Sequence, residues 1–174
     1  MAADVSVMRL TGSGPTETPV EGTNIRFRMD DEVASEGSGS ALPKPSTGNV
    51  TYSYWVSLQL NVTGGSYGVL NNIVVFTDGA SSHPVGVFTV GDRATAYVEA
   101  DGSELNTTNH ADLVGDPGDV FYFTSGDPRL LPGSITSPST GAVGGLFVMQ
   151  VQVDEAAMGG TIDQETLTFQ WDET

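Results

Sequence analysis

The chain has 174 residues, 22 acidic against six basic side chains, a formal net charge of −16 and no cysteine. That length fits one domain, or a domain with a short arm, and suffices to bury a two-layer core without disulfides. The charge balance repels phosphate backbones and anionic membrane surfaces, which argues against nucleic-acid or membrane binding, and the missing thiols exclude a disulfide framework and thiolate metal sites.

An acid-rich surface with a single lysine, Lys44, and ordinary hydrophobic content suits a protein kept soluble in very high salt, where screening removes most self-repulsion. Met1 is not followed by a charged start and apolar run of signal type, and no run of about 18 apolar residues occurs. Three Asn-x-Thr sequons, at Asn49, Asn61 and Asn106, read as chance occurrences in a Thr- and Asn-rich sequence.

In chain order, Asp4 to Leu10 alternates poorly and stops at Thr11-Gly12-Ser13-Gly14-Pro15, so residues 1–22 are expected to be an arm or edge strand. Thr23 to Met29 sets Ile25, Phe27 and Met29 against Asn24, Arg26 and Arg28, the pattern of a strand with one basic face whose arginines pair with surface carboxylates. Asp30 to Gly48 has no periodicity. It lacks the ligand spacing of an EF-hand and reads as a long solvated loop or a subunit contact.

Val50 to Thr63, VTYSYWVSLQLNVT, organises the chain. Tyr52, Tyr54, Val56, Leu58, Leu60 and Val62 fall at every second position, which predicts one long strand with that row buried. The opposite row is polar except for Trp55. Leu70 to Thr77 contains a continuously apolar run, as in a strand covered on both faces, and closes at Asp78-Gly79. Pro84 to Val90 predicts a short strand that turns at Gly91-Asp92 into a second one, Thr95 to Glu99.

Asp101 to Asp119 is polar and acidic and reads as a connection, anchored by the aromatic run Val120 to Thr124. Leu146 to Val153 is a long strand with Phe147, Met149, Val151 and Val153 on one face, and Glu165 to Asp172 closes the pattern with Leu167, Phe169 and Trp171 on one face. No stretch sustains a period of 3.6. The fold class is therefore all-β, an antiparallel β-sandwich of jelly-roll type with about eight to ten strands over residues 23–174, and a barrel is the other architecture. One core is expected to hold Tyr54, Val56, Leu58, Leu60, Phe147, Met149, Val151, Leu167 and Phe169.

Groups for catalysis are scarce. His83 and His110 lie in polar segments without further nitrogen or sulfur ligands nearby, so both read as solvated loop histidines rather than a zinc site. No nucleophile elbow, phosphate loop or dinucleotide fingerprint occurs, and a carboxylate pair about 5 to 10 Å apart arises by chance on so acidic a surface. No catalytic, cofactor or metal residues are assigned. Trp55 is the one candidate contact residue, for a stacked sugar ring or for a second layer or neighbouring subunit.

The stretches TGNVTYSYWVSLQLNVTGG, VLNNIVVFTDG and LFVMQVQVDEAAMGGTIDQETLTFQWDE, with IRFRMDDE and PKPSTG upstream, resemble small β-rich structural proteins of head-tailed viruses of bacteria and archaea. The resemblance covers about three-quarters of the chain and is weakest from Asp101 to Thr140. It implies a non-enzymatic virion component, located in the particle, and the acidic composition places it in a haloarchaeal tailed virus. A head decoration, turret or tail-associated subunit is then expected, with itself as a homo-oligomer and other virion proteins as partners, and with Trp55 or the Asp30 to Gly48 loop at a subunit contact. A carbohydrate-binding sandwich recognising a cell-surface glycan is the alternative.

The charge alone makes a prediction. Dilution from molar salt to about 0.1 M lengthens the Debye length from about 3 to about 10 Å and restores repulsion among the carboxylates. Calorimetry across that range is expected to show the melting temperature falling with salt, and an unchanged value would remove the halophilic reading.

Overall fold

The computed structural model describes residues 2–21, 25–31, 42–158 and 164–174, and these form an antiparallel β-sandwich. The strands in chain order are β1 (Ala3–Thr11), β2 (Thr16–Pro19), β3 (Val50–Tyr52), β4 (Val56–Gly65), β5 (Val69–Phe76), β6 (Val87–Ala94), β7 (Gly118–Asp119), β8 (Arg129–Leu131), β9 (Ile135–Thr136), β10 (Gly141–Asp154) and β11 (Thr168–Glu173). A single 3-10 turn, Val120–Tyr122, is the only helical element among the described residues.

The larger sheet has seven strands in the order β2-β1-β4-β10-β6-β7, with β3 also on β10, and the smaller has four, β11-β5-β8 with β9 also on β5. Of the long strands from β4 onward, β4, β6 and β10 lie in the larger sheet and β5 and β11 in the smaller, so the chain crosses between the sheets at β4–β5, β5–β6 and β10–β11.

The inner faces make the main core. Val56, Leu58, Leu60, Val62, Phe147 and Met149 of the larger sheet meet Leu70, Ile73, Val75 and Leu131 of the smaller, with Leu167, Phe169 and Trp171 packed against them at its rim. Period-two alternation puts these residues there, and apolar burial of about 1.5 to 3 kcal/mol per large side chain drives it. Tyr54 and Val151 were expected in this core but belong elsewhere: Tyr54 packs on the opposite face of the larger sheet, and Val151 joins Val87, Val153 and Ala157 in a separate group.

The reason lies in a bulge. Val56 pairs with Met149 and Tyr52 with Gln152, so four steps on one strand oppose three on the other. One extra residue flips every side chain beyond it to the other face. The expected continuous strand from Val50 to Thr63 is thus two strands, and Tyr52 faces outward with Gln152 rather than inward with Val56.

Other expectations change for similar local reasons. Within residues 1–22, expected to be an arm or edge strand, β2 lies at the edge of the larger sheet, while β1 is hydrogen-bonded on both sides, to β2 and to β4. Ile25 to Met29 forms no strand; Ile25 and Phe27 pack on the core while Arg28 O accepts from the Tyr54 amide. Arg28 is buried and paired with Asp30 at 3.3 Å, not on a surface. Gly91-Asp92 continues β6 instead of turning, paired with Met149 and Val148 of β10, and glycine permits the close approach, since a Cβ there would sit 2.8 Å from Val148 O. Most of the Asp30 to Gly48 loop and the boundary at residues 22–23 lie outside the described residues.

Leu58 is fully buried between the sheets. Leu58→Ala is expected to lower unfolding free energy by about 2 to 5 kcal/mol, read from denaturant titration.

Candidate functional site

The outer face of the larger sheet is divided in two. Its upper half lies under the segment 95–117, which was expected to contribute a strand at Thr95 to Glu99 and then a solvated connection. Instead that segment folds over the sheet as a cover. Ala100, Leu105 and Leu113 from the cover meet Leu10, Trp55, Ala94, Leu146 and Val148 from the strands. This second layer explains why β10 is buried on both faces from Leu146 to Val151.

Three attachments hold the cover. At one end the Thr95 amide donates to Asp112 O, and the Val114 amide to Arg93 O. In the middle, Trp55 Nε1 donates to Val98 O at 3.1 Å. At the lower edge sits Gln150, with no exposed surface. Its Nε2 donates to the carbonyls of Ser53 at 2.7 Å and Ser103 at 2.6 Å, and its Oε1 accepts from the Leu105 amide at 2.8 Å. Ser53 completes the bulge: its amide donates to Val151 O and its Oγ accepts from the Val151 amide. Gly102 lies flat on Tyr54, where a Cβ would stand 2.6 Å from the ring at Cε1, and its φ of +76° suits only glycine readily.

Trp55, the candidate contact for a sugar ring, a second layer or a neighbouring subunit, is 1% exposed and packs against the second layer. Within this chain the cover occupies the face that a ligand or neighbour would need. Apolar burial and the Val98 bond account for it.

Both histidines leave the solvated positions expected of them. His110 is fully buried in the cover, its ring 5.6 Å from that of Trp55 at an interplanar angle of 58°, and neither ring nitrogen has a hydrogen-bond partner. Burial pushes its pKa below the usual histidine value, opposed by the residue's own backbone and by the nearby Asp112. His83 stands edge-on to Phe121, with Nε2 2.6 Å from Thr89 Oγ1 and Nδ1 4.0 Å from Glu165 Oε1. Burial lowers its pKa too, opposed by Glu165 and Asp119. The same Glu165 oxygen accepts from the Ser82 amide and hydroxyl, so the group ties the segment before β11 to the β5–β6 connection. Among the described residues, no group of three or more His, Asp and Glu side chains is placed to hold a metal ion.

Below Gln150 the cover ends and the sheet is open. Gln152 is flanked by Tyr52 on β3 and Phe88 on β6, directly opposite it in the ladders, so all three share the outer face. Two strand spacings separate the aromatic residues, about 10 Å. Phe88 is 49% exposed, and burial together with Glu104, on the cover's edge, raises the pKa of Tyr52. Two register positions further lie Val50 and Asp154, and the Asp154 amide donates to Gly86 O, with Gly86 close against Ala157, which brings the chain at Val85 and Met158, both 77% exposed, to this end of the sheet. Of seven exposed large apolar side chains among the described residues, four (Val50, Val85, Phe88 and Met158) belong to chain segments at this end of the sheet.

Comparison with models of known families, with curated proteins and with solved structures finds no match to this chain. The site is therefore read from its own residues. Sequence patterning missed the open row because Tyr52 continues the alternation of Val56 to Val62 without a break, and Gln150, like Gln152, falls on the polar row of its own strand.

Gln150→Leu keeps the volume but leaves two carbonyls and one amide unpaired beneath the cover. A loss of about 3 kcal/mol in unfolding free energy is expected, with faster hydrogen exchange at the Leu105 amide.

Proposed function

We propose that this chain is a non-enzymatic structural subunit on the outside of the particle of a halophilic tailed virus, a head decoration, turret or tail-associated protein. The observation that carries the reading is the apolar corner at Val50, Val85, Phe88 and Met158 on a chain of net charge −16. Exposed apolar residues collected at one end of a sheet on an otherwise acidic protein suit a lasting contact with copies of itself or with other proteins of a particle. The resemblance supports it further: its stretches supply β3, β4, β5, β11 and most of β10, the frame of both sheets, whereas the weakly matched region contains most of the cover. Packaged DNA would be repelled, which favours an outer position.

A second reading, a glycan-binding sandwich, is favoured by the row Tyr52, Gln152, Phe88. Two aromatic rings about 10 Å apart with a carboxamide between them suit stacking and hydrogen bonding to a linear neutral sugar. Trp55 no longer takes part.

A map of purified particles with this chain located in it tests the first reading, and a glycan screen of the isolated protein tests the second. In sedimentation at molar salt, Phe88→Ser is expected to weaken self-association at least about tenfold, equivalent to about 1.4 kcal/mol, with little change in melting temperature. A chain absent from particles that binds a neutral glycan, with binding lost in Phe88→Ser, would reverse the order of the two readings.

A further inference from the structure

His110 is a titratable group enclosed without a partner. A neutral imidazole still carries one N–H donor and one acceptor nitrogen, and here neither is used. A protonated ring would carry two unpaired donors and a full charge in the same apolar layer, which costs far more than in water.

Burial outweighs what its own backbone and the Asp112 charge offer the protonated ring. From the strands beneath come Leu10, Trp55, Ala94, Leu146 and Val148, all uncharged. Asp92 of β6 also lies under the cover, near Gly115, but is already paired with Arg129. Within the cover, Asp112 acts on His110 from a distance without a hydrogen bond, and Asp116 accepts from Thr107 Oγ1.

The backbone around His110 is held mostly by bonds internal to the cover. The His110 amide donates to Asn106 O, the Leu113 amide to His110 O, and Asn106 Oδ1 caps the amides of Thr108 and Asn109. The bonds to the sheet lie outside this turn, at Val98, Ser103, Leu105 and Val114, and at its last residue, where Asp112 O accepts from the amide and hydroxyl of Thr95 beside β6. The turn 106–112 can therefore lift as a unit while its two ends stay attached.

We propose that His110 makes the turn 106–112 an acid-released lid over Trp55. At neutral pH the uncharged ring packs on Trp55 and the lid is shut. On acidification the proton is accepted far more readily when the ring stands in water, so the turn lifts, uncovering Trp55, Leu105 and Leu113. The sign follows from linkage. The buried ring has the lower pKa, so closure is complete above the free histidine value of about 6.5 and is lost as pH falls below it, the open fraction rising by up to about tenfold per pH unit.

The test uses the full chain in molar salt, with Trp171→Phe so that emission reports Trp55 alone. From about pH 8 to about pH 5, above the carboxylate range, Trp55 emission is expected to shift to the red and amides 106–112 to lose hydrogen-exchange protection while β10 keeps its own. His110→Phe should abolish both changes, and His83→Gln should leave them in place. An identical red shift in His110→Phe overturns the proposal, as does a flat response in the parent. Should His110→Phe not fold, the His110 ring resonances decide: a titration midpoint at or above about 6.5 overturns the proposal, and one below supports it.

Discussion

The buried carboxamide of Gln150 is the constraint on which the arrangement of the larger sheet depends. It sits on β10 where an apolar residue would continue the pattern, and three hydrogen bonds from its two polar atoms fix the Ser53 bulge on one side and the cover on the other. An unsatisfied amide or carbonyl in such a place costs about 1 to 3 kcal/mol, so the three partners and the carboxamide specify one another. Because of that bulge the chain leaves β3 facing outward and enters β4 with its apolar row facing inward. Covered and open halves of the outer face meet at this one residue.

Charge is distributed unevenly between inside and outside. Arg9 and Arg28 are buried, paired with Asp31 at 3.9 Å and Asp30 at 3.3 Å, and Asp31 also accepts from the Tyr97 hydroxyl and the Gly12 amide. Burial lowers the pKa of Arg9, and burial with the Asp31 charge raises that of Tyr97 well above its usual value. Arg129 is paired with the buried Asp92 and lies over the Phe123 ring at 5.8 Å. With three of five arginines paired with carboxylates, Asp92 buried and Asp30 and Asp31 partly so, little positive charge remains to offset the exposed acids, and the solvent-facing surface is more one-sided than the composition alone conveys.

What could be read from the sequence was whatever period two encodes. The all-β class, the inward row from Val56 to Val62 and the long terminal strands follow from local alternation, which the pleat enforces. The cover could not be read that way. Its residues Ala100, Leu105, His110 and Leu113 are spaced irregularly among acids and asparagines, and they are buried by a surface supplied by distant strands. Trp55 illustrates the same limit: its position on a polar row is correctly an outer-face position, but whether that face is wet depends on residues forty and more positions away. The apolar corner escaped notice because it combines Val50, Val85, Phe88 and Met158 from separate turns and strand ends.

The position of β10 has a consequence for how the molecule forms. This fourteen-residue strand lies between β4 and β6 and also carries β3, yet it begins at Gly141. Until it emerges from the ribosome, the larger sheet exists only as two unconnected margins, β2-β1-β4 on one side and β6-β7 on the other. Each exposes an unpaired edge and an apolar face. Pairings over such sequence separations are slow to close, so assembly waits on a late and highly non-local step. Before that step a nascent chain presents the very edges that invite association with its neighbours, and the acidic connections between strands then serve to keep nascent copies apart.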